Sequence, residues 1–112
     1  MTKIECIIRP ERFEDVNAAL GDLGIVGMTT SEVRGCGRQR GYVERYRGME
    51  YQVRLLPKMK LELVVRDDQV DSVVQAIAEA GRTGEVGDGK VFMSRIDDAL
   101  RIRTNERGEA AL

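Results

Sequence analysis

From residue 3 the chain alternates polar and apolar positions: Lys3, Glu5 and Arg9 against Ile4, Cys6 and Ile8, with Ile7 alone breaking the polar side. This period of two predicts a strand over 3–9, buried mainly on one face and stopped by Pro10. Phe13, Val16, Leu20 and Leu23 then recur at helical spacing, and Gly24 stands where a left-handed C-terminal cap is expected. After two glycines, residues 28–34 are rich in threonine and other short side chains and include Val33, a composition that predicts a second strand. The same order returns downstream. Met59, Leu61, Leu63 and Val65 alternate, Val70, Val73, Ile77 and Ala80 mark a helix with Asp68 as its candidate cap, and 90–94 reads as a strand.

A shift of 57 positions aligns Ile4 with Leu61, Cys6 with Leu63, Ile8 with Val65, Phe13 with Val70, Val16 with Val73, Leu20 with Ile77 and Gly24 with Gly81. Two copies are too few for a solenoid. They close naturally as an α+β, βαββαβ ferredoxin-like sandwich, a four-stranded sheet with both helices on one face. The other face would carry Lys3, Glu5, Ile7, Lys60, Glu62 and Val64, a half-apolar mixture that predicts contact with further copies of the chain.

Residues 35–51 join the halves. They hold all three tyrosines together with Arg38, Arg40, Arg45 and Arg47, and they lack a core-forming pattern. The expectation is a long structureless binding loop or lid between strands 2 and 3. Gly35, Gly37 and Gly41 surround Gln39 at its base, where backbone can come close to a ligand. The neutral oxygen of Gln39 suits a Mg²⁺ ion that already faces anions.

At 112 residues and 42% hydrophobic, the chain reads as one domain, 1–112. With 18 Lys and Arg against 19 Asp and Glu it has no polyanion-seeking excess, so charge does not imply nucleic acid. No apolar run reaches signal-peptide or membrane-spanning length, and a soluble cytoplasmic protein is expected. There is no histidine, and Cys6 and Cys36 lack metal-ligand spacing, so both read as structural thiols. Without histidine, triad-type hydrolysis loses its usual base, and binding ranks ahead of catalysis.

Two motifs suit anions. Residues 83–90, Thr-Gly-Glu-Val-Gly-Asp-Gly-Lys, place three glycines beside Lys90, so successive amides can form a nest for a phosphate; a plain glycine turn is the alternative. The Walker spacing is missing and a strand follows, so this is not a P-loop. Arg101-Ile102-Arg103 puts two guanidinium forks on one side of an extended segment with Ile102 directed at the core; here the alternative is a solvated edge strand.

Tyr46-Arg47-Gly48-Met49-Glu50-Tyr51 and the run from Thr83 to Phe92 closely resemble the two signatures of PII nitrogen-regulatory proteins. Residues 4–10, 23–27, 82–84 and 101–104 are similar to the family pattern at the same relative places. The resemblance implies a homotrimer that binds ATP or ADP in clefts between subunits. Gly37, Arg38 and Gln39 would hold the phosphates with Gly87, Asp88, Gly89 and Lys90, Gly35 would join the nucleotide site, and Arg101 and Arg103 reach in from the neighbour while Thr29, Glu62 and Val64 surround the adenine. It implies 2-oxoglutarate beside ATP, with Gln39 on Mg²⁺, Lys58 on the distal carboxylate and Gly41 donating its amide.

By the same resemblance, 37–55 is the mobile T-loop, 82–90 contacts phosphate, 101–112 is the C-terminal segment, and Tyr51 stands where relatives are uridylylated or adenylylated. Partners would be an ammonium transporter, which would recruit the protein to the membrane, glutamine synthetase regulatory enzymes or other nitrogen-metabolism proteins. Met49 replaces a small residue usual in the family, so no phosphorylatable serine stands there, and Cys36 replaces a common phenylalanine. The implied function is a non-enzymatic sensor of ATP/ADP and 2-oxoglutarate. Two alternatives compete with it. An RNA-binding domain of the same βαββαβ order would carry its aromatics on the middle strands, not in the loop. A phosphate-handling enzyme would need a nucleophile and base that no residue pair supplies.

Overall fold

The computed structural model describes residues 1–38 and 41–112; Gln39 and Arg40, and the side chains of Tyr51 and Val53, lie outside the description. The elements are β1 (Thr2–Ile8), α1 (Phe13–Asp22), β2 (Thr29–Gly35), β3 (Tyr42–Tyr46), β4 (Met49–Val53), β5 (Leu56–Val65), α2 (Val70–Gly81) and β6 (Gly89–Arg95). The main sheet has the order β2-β5-β1-β6, with every neighbouring pair antiparallel. Each half is thus a split βαβ unit whose strands are separated by one strand of the other half, the ferredoxin-like arrangement.

Alternation decides which face is dry. On β1, Ile4, Cys6 and Ile8 are buried, and on β5 Leu61, Leu63 and Val65. They meet Val16 and Leu20 of α1 and Val73 and Ile77 of α2 in one core. Each fully buried aliphatic side chain of this set contributes about 1.5–3 kcal/mol of transfer free energy. Burial also pushes the Cys6 thiol up to about 11, which makes it an inert core residue, whereas Cys36 is exposed.

The 57-residue repeat extends into detail the alternation did not show. Both helices are entered through a 3-10 turn, Pro10–Arg12 and Asp67–Gln69, again 57 apart. Asp68 therefore does not cap α2. It lies inside the 3-10 turn and pairs with Arg66, while the N-cap position belongs to Gln69. Gly24 has the expected positive φ of 78°, and Gly24 and Ile25 close a Schellman motif on Gly21 and Leu20.

Gly81 breaks the correspondence. It is the last residue of α2, buried with the Cβ direction facing Val16 and Ile8. Leu23 lies past the end of α1 and is 41% exposed instead of core. Phe13 and Val70 stand 57 apart but Thr29 and Gly89 stand 60 apart, so the second half has three extra residues between helix start and strand start. They enlarge the connection ahead of β6.

The long connection between the halves is not structureless. Met49–Val53 pairs with Tyr42–Tyr46 in a separate two-stranded sheet, turned by Arg47 and Gly48, both at positive φ. Neither β3 nor β4 pairs with the main sheet. The signal was hidden because its alternating positions are aromatic and charged instead of aliphatic, with no core to bury them. The radius of gyration, 16.9 Å, exceeds the ~13 Å of a compact chain of this length, and the long axis of 58 Å reflects the projecting hairpin.

Candidate functional site

One end of the main sheet collects the candidate residues. There Gly35 faces Leu56 and Gly89 faces Ile8, so the hairpin's roots and the start of β6 sit at the same edge. The approach of β6 to β1 at that point is possible only for glycine. Gly89 has φ of 106°, and a Cβ there would stand 1.7 Å from the Ile7 carbonyl oxygen.

The loop ahead of Gly89 is organised by a carboxylate. Asp88 Oδ2 accepts from the amides of Thr83 (2.8 Å) and Gly84 (2.9 Å), and Oδ1 accepts from the Thr83 hydroxyl and from Arg9 Nε (3.0 Å). These bonds, the Thr83 hydroxyl foremost, hold the Asp88 carboxyl well below the usual carboxylate range. Arg9, whose side chain is 14% exposed, also donates to the Val86 carbonyl at 2.8 Å. Lys58 Nζ donates to the Gly87 carbonyl at 2.7 Å. In a planar trans peptide the N–H points opposite to the preceding C=O. Carbonyls of Val86 and Gly87 turned toward these two cations therefore aim the amides of Gly87 and Asp88 the other way, the arrangement of an anion nest.

Burial lowers the Lys58 pKa first, and the Arg9 charge lowers it further. A cation under that pressure gains from an incoming anion. Two clefts open at this end of the sheet. One, of about 200 Å³, is lined by Ile7, Ile8, Ile77, Gly81, Asp88, Gly89 and Lys90 among others; the second, of about 480 Å³, by Pro10, Glu32, Val33, Arg34, Pro57, Lys58 and Met59. Ligand pockets typically enclose ~300–1,000 Å³, so the first cleft is too small for a nucleotide by itself.

The remaining candidates divide by position. Thr29 faces Glu62 across β2 and β5, and Val64 follows on the same, helix-free face. That face is laced by Lys60–Glu5 (3.0 Å), Lys60–Glu62 (3.3 Å) and Lys3–Glu62 (3.4 Å). The Lys60 bond lowers the Glu62 pKa, and the two carboxylates raise that of Lys60. Gly37 and Arg38 form a bend after β2, and Gly41 directly precedes β3. Gln39 falls outside the described residues, and of Tyr51 only the backbone is described, opposite Glu44.

Arg101 and Arg103 are not brought to this edge. β6 ends at Arg95 beside Thr2, the opposite end of the sheet from Gly89, and the Ile96 amide bonds to the Met1 carbonyl. The segment then forms a turn, not an extended strand, and Ile102 is 91% exposed instead of directed at the core. Nothing apolar is left for it to cover, because the helices already fill the buried face. Among the described residues no hydrogen bond or ion pair joins Arg101 or Arg103 to 82–90.

Arg9 is not among the sequence candidates, and Thr83 enters there only as the first residue of the 83–90 motif. Arg9 carried one weak signal, a cation at the strand end just before Pro10. No group of three or more acidic or cysteine side chains that could hold a metal occurs among the described residues. No helix of the described residues is long and apolar enough to cross a membrane.

A ferredoxin-like module with a projecting hairpin beside a glycine-rich loop is a scaffold with its candidate binding elements gathered at one end. The family model described as "Nitrogen regulatory protein P-II" matches residues 1–106. A protein of that name from Microchaete diplosiphon is 56% identical over 112 residues, covering all of both chains. One from Pasteurella multocida is 53% identical, again over all of both chains. "Nitrogen regulatory protein P-II 2" from Methanothermobacter thermautotrophicus is 52% identical over all of this chain and 97% of its own. The chain belongs to the P-II family, and its role is regulatory signalling in nitrogen metabolism, not enzymatic catalysis. The RNA-binding alternative finds no support in these matches.

Proposed function

We propose that this protein senses ATP or ADP together with 2-oxoglutarate, and reports their binding through the 37–55 loop to target proteins of nitrogen metabolism. The observation that carries the reading is the 2.7 Å bond from Lys58 to the Gly87 carbonyl, which ties the root of the projecting hairpin to the anion-directed loop. Polyphosphate would lie on the amides of Gly87, Asp88 and Gly89 with Lys90, Gly37 and Arg38. Thr29, Glu62 and Val64 would surround the adenine, and Gly35 would also contact the nucleotide. Asp88 serves the same site, with its oxygens on Thr83, Gly84 and Arg9.

β6 leaves the sheet at the end away from Gly89, and among the described residues neither Arg101 nor Arg103 is bonded to 82–90, which supports a neighbour's copy as their source and hence a site completed between subunits of a homotrimer. The helix-free sheet face would meet its counterparts there. Gln39 would ligate Mg²⁺, and the ion would supply the positive charge that lets two carboxylates and a triphosphate share one site. Lys58 would exchange the Gly87 carbonyl for the distal carboxylate of 2-oxoglutarate, and Gly41 would donate its amide. The exchange alters the support of both the hairpin root and the nest, so the acid and the nucleotide are coupled. Tyr51, in β4, is the proposed site of covalent nucleotidylation. Ammonium transporters and the enzymes that regulate glutamine synthetase are the proposed targets, the former bringing the protein to a membrane.

Titration calorimetry tests this directly. 2-Oxoglutarate should bind with ATP and Mg²⁺ present, weaken at least tenfold when either is withheld, and weaken comparably in Lys58→Met with both present. Equal binding with and without ATP and Mg²⁺ would refute the shared site.

A further inference from the structure

Beyond β6 the chain builds a small hook from polar contacts. Asp98 gathers the Arg107 guanidinium and the amides of Ala99 (2.8 Å) and Gly108 (3.1 Å), and Leu100 bridges Arg107. At the neck, the Arg101 amide donates to the Glu106 carbonyl (2.9 Å) and the Asn105 amide to the Arg101 carbonyl (2.9 Å), with Asn105 at φ 60° closing the turn. Glu106 grips Arg101 a second time through its side chain, Arg101 Nη1 to Oε1 at 2.9 Å, while Nη2 donates to the Leu112 backbone oxygen at 3.1 Å. Arg103, two residues on, has no hydrogen bond or ion pair among the described residues. One arginine of the pair is braced and the other is not.

We propose that Glu106 is a positioning residue for polyphosphate binding, which fixes the Arg101 guanidinium in the orientation in which it meets the phosphates and acts through that side chain. The inference rests on the nucleotide reading above. A guanidinium has five N–H donors, and the two bonds described leave three for a ligand. Arginine carries large rotamer entropy, and a side chain already held loses less of it on binding. The Arg101–Glu106 pair is partly exposed, so its charge attraction alone is weak, and its consequence lies in orientation.

The sign of one measurement separates this from simple electrostatics. A carboxylate near a polyphosphate repels it, so if Glu106 acted only by charge, Glu106→Ala would tighten ATP. If it positions Arg101, Glu106→Ala weakens ATP by about two- to tenfold. ATP binding is measured by calorimetry in the full chain, for the wild type, Glu106→Ala, Glu106→Gln, Arg101→Ala and the double variant Arg101→Ala/Glu106→Ala, with thermal melts in parallel. We expect weakening in Glu106→Ala, partial recovery in Glu106→Gln, which keeps an acceptor oxygen, and no further weakening when Glu106→Ala is added to Arg101→Ala.

Unchanged or tighter binding in Glu106→Ala overturns the proposal. So does a weakening that persists undiminished in the Arg101→Ala background, which would mark a general collapse of the hook. If the wild type binds no ATP, the nucleotide reading itself fails. If the wild type binds but Arg101→Ala binds equally well, that reading stands without Arg101 and the positioning role is wrong.

Discussion

Asp88 illustrates how a residue's neighbours decide its role. Beside three glycines and a lysine it stands in what looks like a phosphate site, yet a carboxylate repels phosphate, and its two oxygens already take Thr83, Gly84 and Arg9. It shapes the loop whose amides face the anion. Because its folded-state pKa is depressed, its contribution to stability is fully present above the ordinary carboxylate value of ~4 and is lost as pH falls through that value toward the lower one. Asp88→Asn should therefore melt below the wild type at pH 7, with the gap closing as pH drops below about 4. A gap constant from pH 7 to pH 3 in thermal melts would show that the charge is not what holds the loop. The sequence made the glycine loop visible, but the partner Arg9 lies 79 residues away and only folding brings it there.

At the scale of elements, the hairpin β3–β4 and the C-terminal hook share a construction: each is held by its own pairings and not by the core. Arg45–Glu50 at 2.9 Å and the Arg47 guanidinium 5.3 Å from the Tyr46 ring centre are contacts within the hairpin itself. Tyr42 faces Val53, so the hairpin's ends are adjacent. Replacing 42–53 by a short glycine linker should move the melting temperature by no more than a few degrees, the shift expected of ~1 kcal/mol in a domain this size. Binding to target proteins should be lost in pull-down with a candidate transporter. A large drop in melting temperature would mean that the hairpin supports the core. Both segments were misjudged from sequence for one reason: periodicity reports burial, and neither element buries a face.

At the scale of the molecule, the helix-free sheet face is the surface proposed to meet other copies. Phe92, 53% exposed, lies on it beside Glu5, and Ile7 and Val64 add apolar area between the ion pairs of Lys3, Lys60, Glu5 and Glu62. Sedimentation should show a trimer, and Phe92→Lys should dissociate it. The new ammonium can pair with Glu5 in the monomer, so circular dichroism should stay native while assembly is lost. A variant that remains trimeric would place the interface elsewhere.

The sequence by itself determined the strands and helices of the two repeats, most of the core between them, and the family. A period of two or of 3.6 follows from one-sided burial, the doubled strand–helix–strand pattern follows from the 57-residue repeat, and the signature runs at 46–51 and 83–92 are contiguous. Only the tertiary structure decided that Lys58 meets Gly87, that Arg9 and Thr83 converge on Asp88, that Glu106 holds Arg101, and that the two arginines leave the sheet at the end away from the glycine loop. Burial leaves a periodic trace along the chain. A hydrogen bond between a side chain and a distant carbonyl leaves none, because its partners are chosen by strand order and register, and three-dimensional closure sets both.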